Sequence, residues 1–133
     1  LAGNVFISVT DSQKPEILPI AKKLHELGFT LYGTVGTVRY MESHGVPMSL
    51  VRKVQEGSPN IIDMIRGADV DLVINTPGDK NARQDHFQMM RATIDYSIPY
   101  VTTIFGAEAA ALAIESMKNN KITIEPLSHY HSA

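Results

Sequence analysis

Hydrophobic and polar positions follow two different periods along this chain. Short apolar runs rich in β-branched residues predict five strands, at 4–9, 29–34, 46–54, 71–75 and 99–103. Between them, apolar residues recur at three- and four-residue steps, which predicts helices at 15–27, 37–44, from 59 onward, at 82–96 and at 107–117. Because strands and helices alternate with short connections, we expect an α/β fold in three layers. Its core would be a doubly wound, mostly parallel five-stranded sheet with helices on both faces.

Capping residues and breakers predict where several helices begin. Thr37 is placed to cap the second helix, and Ser58 followed by Pro59 is a common start signal for the third. Pro19 cannot donate a backbone hydrogen bond, so we expect the first turn of the first helix to be loose or to begin late. The β-branched residues at 122–124 predict a final edge strand.

Composition restricts the possible functions. The 133 residues fit one domain, and the absence of cysteine excludes thiol redox chemistry and cysteine-ligated zinc. A net charge of -2 argues against nucleic-acid or membrane-surface partners, which need a concentrated basic face. No apolar run approaches the ~20 residues needed to span a bilayer. Because the chain begins with leucine and carries no signal peptide, we expect a cytoplasmic domain, 1–133, excised from a longer chain.

The stretch from Leu31 to Thr37 predicts the first candidate site. An apolar run there changes into Gly33-Thr34-Val35-Gly36-Thr37 and then into helical spacing, so a strand, a turn and a helix follow directly. Such a junction exposes backbone N–H groups and hydroxyls at the positive end of a helix dipole, which favours an anion. Gly-Thr turns also close ordinary strand–helix loops, so the junction by itself leaves both interpretations open.

Polar residues at the ends of other predicted strands extend this site. Open α/β sheets bind ligands at the carboxyl ends of their strands, near the point where strand order reverses. The residues that this rule brings together are Lys14 after the first strand, Thr34, Gly36 and Thr37 after the second, Lys53 at the third, and Asn75 and Thr76 at the fourth. Lysines, hydroxyls and an amide suit a phosphate attached to a hydroxyl-rich group such as ribose. Each residue alone could equally be a solvated charge or a turn cap.

Five motifs occur in order along nearly the whole chain. They are Ser8-Val9-x4-Lys14, Gly33-Thr34-x-Gly36-Thr37, Lys53-Val54-x-Glu56-Gly57-x-Pro59-x-Ile61-x-Asp63, Ile74-Asn75-Thr76 and Tyr100-x-Thr102-Thr103. In these motifs the sequence resembles the C-terminal regulatory domain of the carbamoyl-phosphate synthetase large subunit. The resemblance implies a methylglyoxal-synthase-like, Rossmann-like fold.

The resemblance also implies an allosteric role. In bacterial members this domain binds uridine monophosphate as an inhibitor, and in some members other nucleotides or a phosphoribosyl compound, so as to control carbamoyl phosphate synthesis for pyrimidine and arginine biosynthesis. Phosphate would be held by Lys14, Thr34, Thr37 and Lys53, and the ribose and base would be reached by Asn75, Thr76 and Pro77. Residues assigned to the flanks of the site are Ser8, Arg83, Asp85 and Arg91, although Arg91 could form only a surface salt bridge.

The implied partners are the remaining synthetase domains of the large subunit, the glutaminase small subunit and the phosphorylated effector. ATP and magnesium would act in the parent enzyme outside this chain, and we expect no cofactor or metal in the domain itself. The sequence departs from the family at Gly78-Asp79-Lys80-Asn81, where Ser-Gly and two arginines are common, and at Gln55, where a histidine is usual. These departures affect the base and ribose side of the site more than the phosphate side.

An enzymatic function is the alternative, because the same fold supports methylglyoxal synthase and a cyclohydrolase of purine synthesis. Methylglyoxal synthases carry a Gly-Gly-Asp-Gln loop whose aspartate abstracts a proton beside a carbonyl. The corresponding stretch here, Val54 to Ser58, lacks that aspartate and has Glu56 as its only acid. His129 and His131 near the chain end offer too little for a metal site. We therefore favour a sensor over a stand-alone lyase for a small phosphorylated substrate.

Overall fold

The computed structural model describes residues 3–76, 78 and 80–128. Its five strands are β1 Asn4–Ser8, β2 Thr30–Gly33, β3 Ser49–Leu50, β4 Leu72–Asn75 and β5 Tyr100–Val101. The five α-helices are α1 Lys14–Glu26, α2 Val35–Ser43, α3 Ile61–Arg66, α4 Lys80–Asp95 and α5 Ile104–Ser128. Two short 3-10 turns, Asp11–Gln13 and Val54–Glu56, lead into α1 and follow β3.

All five strands form one parallel sheet in the order β3-β2-β1-β4-β5. The central strand β1 pairs with β2 on one side and with β4 on the other, so the strand order reverses beside β1. At the carboxyl end of that reversal, Ser8 lies opposite Asn75, and Ile7 lies opposite Gly33 of β2. A crevice between diverging loops is expected at such a point.

Each face of the sheet has its own core, because successive side chains of a strand point to opposite faces. Val5 and Ile7 of β1 pack in a core with apolar residues of α1, α2 and α5. Phe6 between them packs in the second core, with apolar residues of α3 and α4. The predicted three-layer, doubly wound architecture is therefore confirmed.

The start of α2 differs from the prediction, since the residue at its N-cap is Thr34 and not Thr37. Thr34 has an extended backbone (φ -80°, ψ 166°), so the helix begins directly where β2 ends. Thr37 is then the third helical residue, and its side chain is almost fully buried. The two early residues Val35 and Gly36 have low helix propensity, which is why spacing alone placed the start too late.

The start of α3 also differs, because Asn60 caps this helix in place of Ser58. The side-chain oxygen of Asn60 accepts hydrogen bonds from the backbone N–H groups of Ile62 and Asp63, and the carboxylate of Asp63 accepts the N–H of Asn60. This reciprocal capping box satisfies more donors than the predicted Ser58-Pro59 start would.

Pro19 lies inside α1, which begins at Lys14, so the predicted late start is wrong. The hydrogen bond that Pro19 cannot make would have gone to the carbonyl of Pro15, one turn earlier. Both prolines are exposed, and water can solvate that carbonyl on the outer side of the helix.

Two predictions near the end of the chain are corrected. Helix α5 continues through 122–124, so the predicted edge strand is wrong. No proline or glycine lies between Gly106 and Pro126, and an alanine-rich helix has no reason to stop there. In α4 the three- and four-residue spacing predicts that Phe87, Met90 and Ile94 form the apolar face. That prediction is wrong, because Phe87 and Ile94 are exposed while Met89 and Ala92 are buried. Within the described part of the chain, no helix is long and apolar enough to cross a membrane.

Candidate functional site

A cavity of about 500 Å³ lies at the carboxyl ends of β1, β2 and β4. It therefore occupies the point where the strand order reverses. Nine of the predicted residues line it, namely Ser8, Lys14, Thr34, Gly36, Thr37, Lys53, Asn75, Thr76 and Asp85. The cavity thus brings together residues from five separate segments of the chain. Seven of them follow from the strand-end rule, and Ser8 and Asp85 follow from the family resemblance.

Lys14 is a buried cation in the wall of the cavity, with 7% of its surface exposed. Its ammonium Nζ donates to the carbonyl oxygen of Val9 over 3.0 Å and to Asp11 Oδ1 over 2.7 Å. Asp11 is fully exposed, and its pKa is lowered first by the hydrogen bond from Lys14 and then by the charge of the same ammonium. The ammonium therefore has two hydrogen-bond partners, the backbone carbonyl of Val9 just after β1 and the solvent-exposed carboxylate of Asp11.

The N-terminus of α2 lies beside this ammonium. A Cβ placed on Gly36 would be 3.7 Å from Lys14 Nζ and in ordinary van der Waals contact with it. Backbone N–H groups in the first turn of a helix have no partner within the helix, and together they carry part of the positive end of the dipole. A lysine and a helix N-terminus therefore present positive charge to the same volume.

Hydroxyl groups connect the strand ends around the cavity. Thr34 Oγ1 lies 3.0 Å from Ser8 Oγ, which joins the ends of β2 and β1. Thr37 Oγ1 accepts the N–H of Val9 over 3.4 Å, and Thr76 Oγ1 accepts the N–H of Thr10 over 3.1 Å. Among the described residues, every buried side-chain nitrogen or oxygen has a hydrogen-bond partner. The polar wall is thus fixed before any ligand binds.

Lys53 adds a second cation to the cavity from an exposed position. The predicted third strand is shorter than expected and ends at Leu50, so Lys53 lies in the loop that precedes the 3-10 turn Val54–Glu56. The carboxylate of Glu56 accepts the backbone N–H of Lys53 over 2.7 Å. Glu56 is therefore engaged in its own turn, and it is not among the residues that line the cavity.

The wall on the β4 side is built differently. Asn75 is buried, and its Nδ2 donates to the hydroxyl oxygen of Tyr100 over 3.0 Å. His86 Nδ1 of α4 lies 2.6 Å from that same oxygen. Burial raises the pKa of Tyr100, and the hydrogen bond from Asn75 offsets part of this rise. Asp85, next to His86, is a buried carboxylate that lines the cavity.

With this geometry established, comparison with known proteins identifies the family. Residues 16–102 match the family model described as the MGS-like domain. The chain belongs to the MGS-like domain family. The solved structure of methylglyoxal synthase from Elizabethkingia anophelis has the same fold, with a TM-score of 0.68, 17% identity, and coverage of 83% of this chain and 77% of that one.

Two curated relatives are much closer in sequence to this MGS-like domain. The carbamoyl phosphate synthase large chain of Methanocorpusculum labreanum is 75% identical over 132 residues, which is 99% of this chain. The corresponding large chain of Methanoculleus marisnigri is 63% identical over 129 residues, or 97% of this chain. In both cases the chain spans only 12% of the relative's length.

The other predicted residues of this MGS-like domain either lie away from the cavity or fall outside the described residues. Arg91 is exposed on α4 and is not among the lining residues. Pro77 and Asp79 lie outside the described residues, as do His129 and His131, and so does the side chain of Arg83. Within the described ranges, no group of three histidine, aspartate or glutamate side chains could hold a metal ion.

Sequence reasoning missed other lining residues. They are Phe6, Val9, Thr10, Asp11, Val54, Ile61, Gly78 and Met89. Thr10 and Asp11 directly follow β1, so the strand-end rule could have included them among the candidate site residues. Ile61 and Met89 belong to the apolar faces of helices, and nothing in their spacing separates a cavity wall from ordinary core.

Proposed function

We propose that this chain is the allosteric regulatory domain of a cytoplasmic carbamoyl-phosphate synthetase large chain. Its cavity would bind a phosphorylated effector, with uridine monophosphate as the leading candidate, and binding would control carbamoyl phosphate synthesis for pyrimidine and arginine biosynthesis. The high identity to curated large chains supports this parentage. The observation that carries the effector site is the convergence of Lys14, Lys53 and the N-terminus of α2 on one cavity.

A phosphate group matches the phosphate side of the cavity in charge and in hydrogen bonding. Its oxygens accept charge-assisted hydrogen bonds from lysine ammonium groups and ordinary ones from helix N–H groups and threonine hydroxyls. The net charge of the chain is only -2, so positive potential here must come from local groups such as Lys14 and Lys53. A bound phosphate would compete with the exposed carboxylate of Asp11 for the Lys14 ammonium.

The remaining space suits a nucleoside. A volume of about 500 Å³ is within the usual range for small-molecule sites. Asn75 and Thr76 lie at the end of β4, across the crevice from α2, where a ribose or a base attached to the phosphate would extend. ATP and magnesium would act elsewhere in the parent synthetase, and the glutaminase small subunit would be a further partner of that assembly.

A lyase acting on a small phosphorylated substrate is the second candidate. The buried carboxylate of Asp85 favours it, because an acid that lines a phosphate-binding cavity could act as a general base. Glu56, the acid in the loop that corresponds to the synthase base, is held by its own turn. We expect no conversion of dihydroxyacetone phosphate to methylglyoxal, measured by a colorimetric assay at high protein concentration. Turnover that disappears in Asp85→Asn would instead establish the lyase.

Calorimetric titration of the 133-residue chain tests the regulatory proposal directly. The ligands are uridine monophosphate, inosine monophosphate, phosphoribosyl pyrophosphate and N-acetylglutamate, the last of which has carboxylates but no phosphate. We expect binding of at least one phosphorylated compound and its loss in Lys14→Ala. Lys22→Ala, an exposed lysine on the same helix, is the matched control. Binding of N-acetylglutamate alone, or equal effects of the two substitutions, would contradict the proposal.

A further inference from the structure

Three side chains from three elements form a line of short hydrogen bonds beside the cavity. Asn75 ends β4 and lines the cavity, Tyr100 begins β5, and His86 lies in α4. The hydroxyl oxygen of Tyr100 lies 3.0 Å from Asn75 Nδ2 and 2.6 Å from His86 Nδ1. The line therefore runs from the cavity wall to the helix layer outside it.

The single proton of the Tyr100 hydroxyl determines how this line is ordered. A phenol can donate one hydrogen bond and can accept others. Its nearest acceptor is His86 Nδ1, whereas the backbone oxygen of His86 is 3.4 Å away. Asn75 Nδ2 donates to the Tyr100 oxygen, so the phenol proton is directed away from Asn75. The arrangement that uses this proton at the 2.6 Å neighbour has Tyr100 donating to Nδ1, with the imidazole proton on Nε2. Asn75 must then direct its amide nitrogen, and not its amide oxygen, toward Tyr100.

Burial makes the wrong amide orientation costly. Asn75 is only 6% exposed, so a flipped amide would face the Tyr100 oxygen with its own oxygen and would have no water to replace the lost bond. The Tyr100 hydroxyl is protonated and able to donate at neutral pH, because the ordinary pKa of a phenol is about 10 and burial raises the pKa of Tyr100 further. The orientation of the Asn75 amide is therefore set by its hydrogen bond to Tyr100, before a ligand binds.

We propose that Tyr100 and His86 are positioning residues that fix Asn75 as a hydrogen-bond acceptor toward the nucleoside part of the effector. Since Nδ2 is directed at Tyr100, Oδ1 is the amide atom left to accept a bond from the ligand. The group recognised there is then a donor, such as a ribose hydroxyl or a ring N–H. This inference rests on the proposed function, because it concerns a second part of the same effector site.

Removing one hydroxyl tests the inference. Tyr100→Phe keeps the ring, and Tyr96→Phe removes a hydroxyl from an exposed tyrosine after α4 as the matched control. Calorimetry of the 133-residue chain with uridine monophosphate and with inorganic phosphate separates the two parts of the site. We expect Tyr100→Phe to weaken uridine monophosphate binding about tenfold, and phosphate binding less than about twofold. The control should match the wild type for both ligands.

A double mutant and a conservative substitution of His86 distinguish a positioning role of Tyr100 and His86 from a merely structural one. In an Asn75→Ala background, Tyr100→Phe should have no further effect on uridine monophosphate affinity, because the amide that it orients is gone. His86→Asn places a carbonyl acceptor near the former Nδ1 and should retain most of the affinity, whereas His86→Leu should behave like Tyr100→Phe.

The outcomes separate the two proposals. If the wild type binds none of the phosphorylated compounds, both the proposed function and this inference fail. If it binds a nucleotide and Tyr100→Phe binds that nucleotide equally well, the inference is overturned and the function stands. Binding of inorganic phosphate without any nucleotide would likewise overturn the inference alone. Equal losses for both ligands would indicate a general loss of structure and would also overturn the inference. Additive effects of Tyr100→Phe and Asn75→Ala would overturn it too, since they show that the two residues act independently.

Discussion

The two sides of the cavity differ in what holds their polar groups in place. On the side that we propose for phosphate, called the phosphate side, Lys14 is fixed by a backbone carbonyl of its own connection, and α2 contributes backbone N–H groups that start directly after β2. On the side that we propose for the nucleoside, called the nucleoside side, Asn75 is oriented by side chains of Tyr100 and His86, which come from elements later in the chain. Local backbone geometry thus makes one side, and contacts between distant segments make the other.

This difference predicts how each side responds to change. Groups fixed by their own backbone tolerate substitutions elsewhere, whereas a side-chain network fails when any member is removed. We expect phosphate recognition to be general within the family and recognition of the base to vary.

The largest effect is expected from the lysines of the phosphate side. Lys14→Ala should weaken binding of both uridine monophosphate and inorganic phosphate about a hundredfold, since a buried charge-assisted bond contributes about 1.5–3 kcal/mol. Lys53→Ala should cost about tenfold, because Lys53 is exposed and solvent screens its charge. Calorimetry measures both. A loss confined to uridine monophosphate would place the phosphate elsewhere and remove the distinction between the two sides.

Gly36→Ala should separate binding from stability. The added Cβ fits against Lys14 Nζ at 3.7 Å, so the fold accepts it, and alanine raises stability by up to ~1 kcal/mol within a helix. The methyl group also occupies space next to the ammonium, so phosphate binding should weaken about tenfold. Gly45→Ala is the control, because its φ of +82° makes alanine strained there and should lower only the melting temperature. Unimpaired phosphate binding in Gly36→Ala would show that the anion lies away from α2.

Thr37→Val should affect stability more than recognition. Valine has nearly the same shape but cannot accept the buried N–H of Val9, so we expect a loss of about 1 kcal/mol and a drop in melting temperature of roughly 4 °C. Phosphate affinity should fall only about threefold, because the helix N–H groups and lysines remain. A loss of affinity as large as that of Lys14→Ala would make Thr37 a principal ligand.

The smallest effect concerns the exposed partner of Lys14. The pKa of Asp11 is lowered in the folded state, so its contribution to stability is present above its unfolded pKa of ~3.9 and is lost as pH falls through the folded value. In Asp11→Asn the free energy of unfolding should therefore fall less steeply than in the wild type as the pH drops below about 4. At pH 7 it should also strengthen phosphate binding about twofold, by removing a competitor for the ammonium. Weaker phosphate binding in Asp11→Asn would instead make the carboxylate part of the site.

The fold and the phosphate side were predictable because both follow from the order of strands and helices along the chain. The alternating periods of apolar residues predicted the parallel sheet, and the strand-end rule predicted Lys14, Thr34 and Lys53 without any knowledge of contacts. The cap of α2 was misplaced because Thr34 and Thr37 both carry hydroxyls, and only the backbone dihedrals show which one precedes the helix.

The nucleoside side was less predictable for a physical reason. His86 lies 14 residues before Tyr100 and Asn75 lies 25 before it, so the line that they form depends on how β4, α4 and β5 pack. The exposed Phe87 misled the helix-face prediction, since Met89 and Ala92, on another side of α4, face the core instead. Pairings across that distance follow from tertiary packing and leave no trace in residue spacing.

The position of β1 in the sheet has a mechanical consequence. One half of the sheet, β2 and β3, and the other half, β4 and β5, are joined to each other through β1. An effector that contacts α2 and Lys53 on one side and Asn75 on the other would cross-link both halves at their carboxyl ends. The bound effector would then reduce the twisting of the two halves of the sheet relative to each other about β1. Amide hydrogen exchange in β2 and β4 should accordingly slow in parallel as the effector concentration rises.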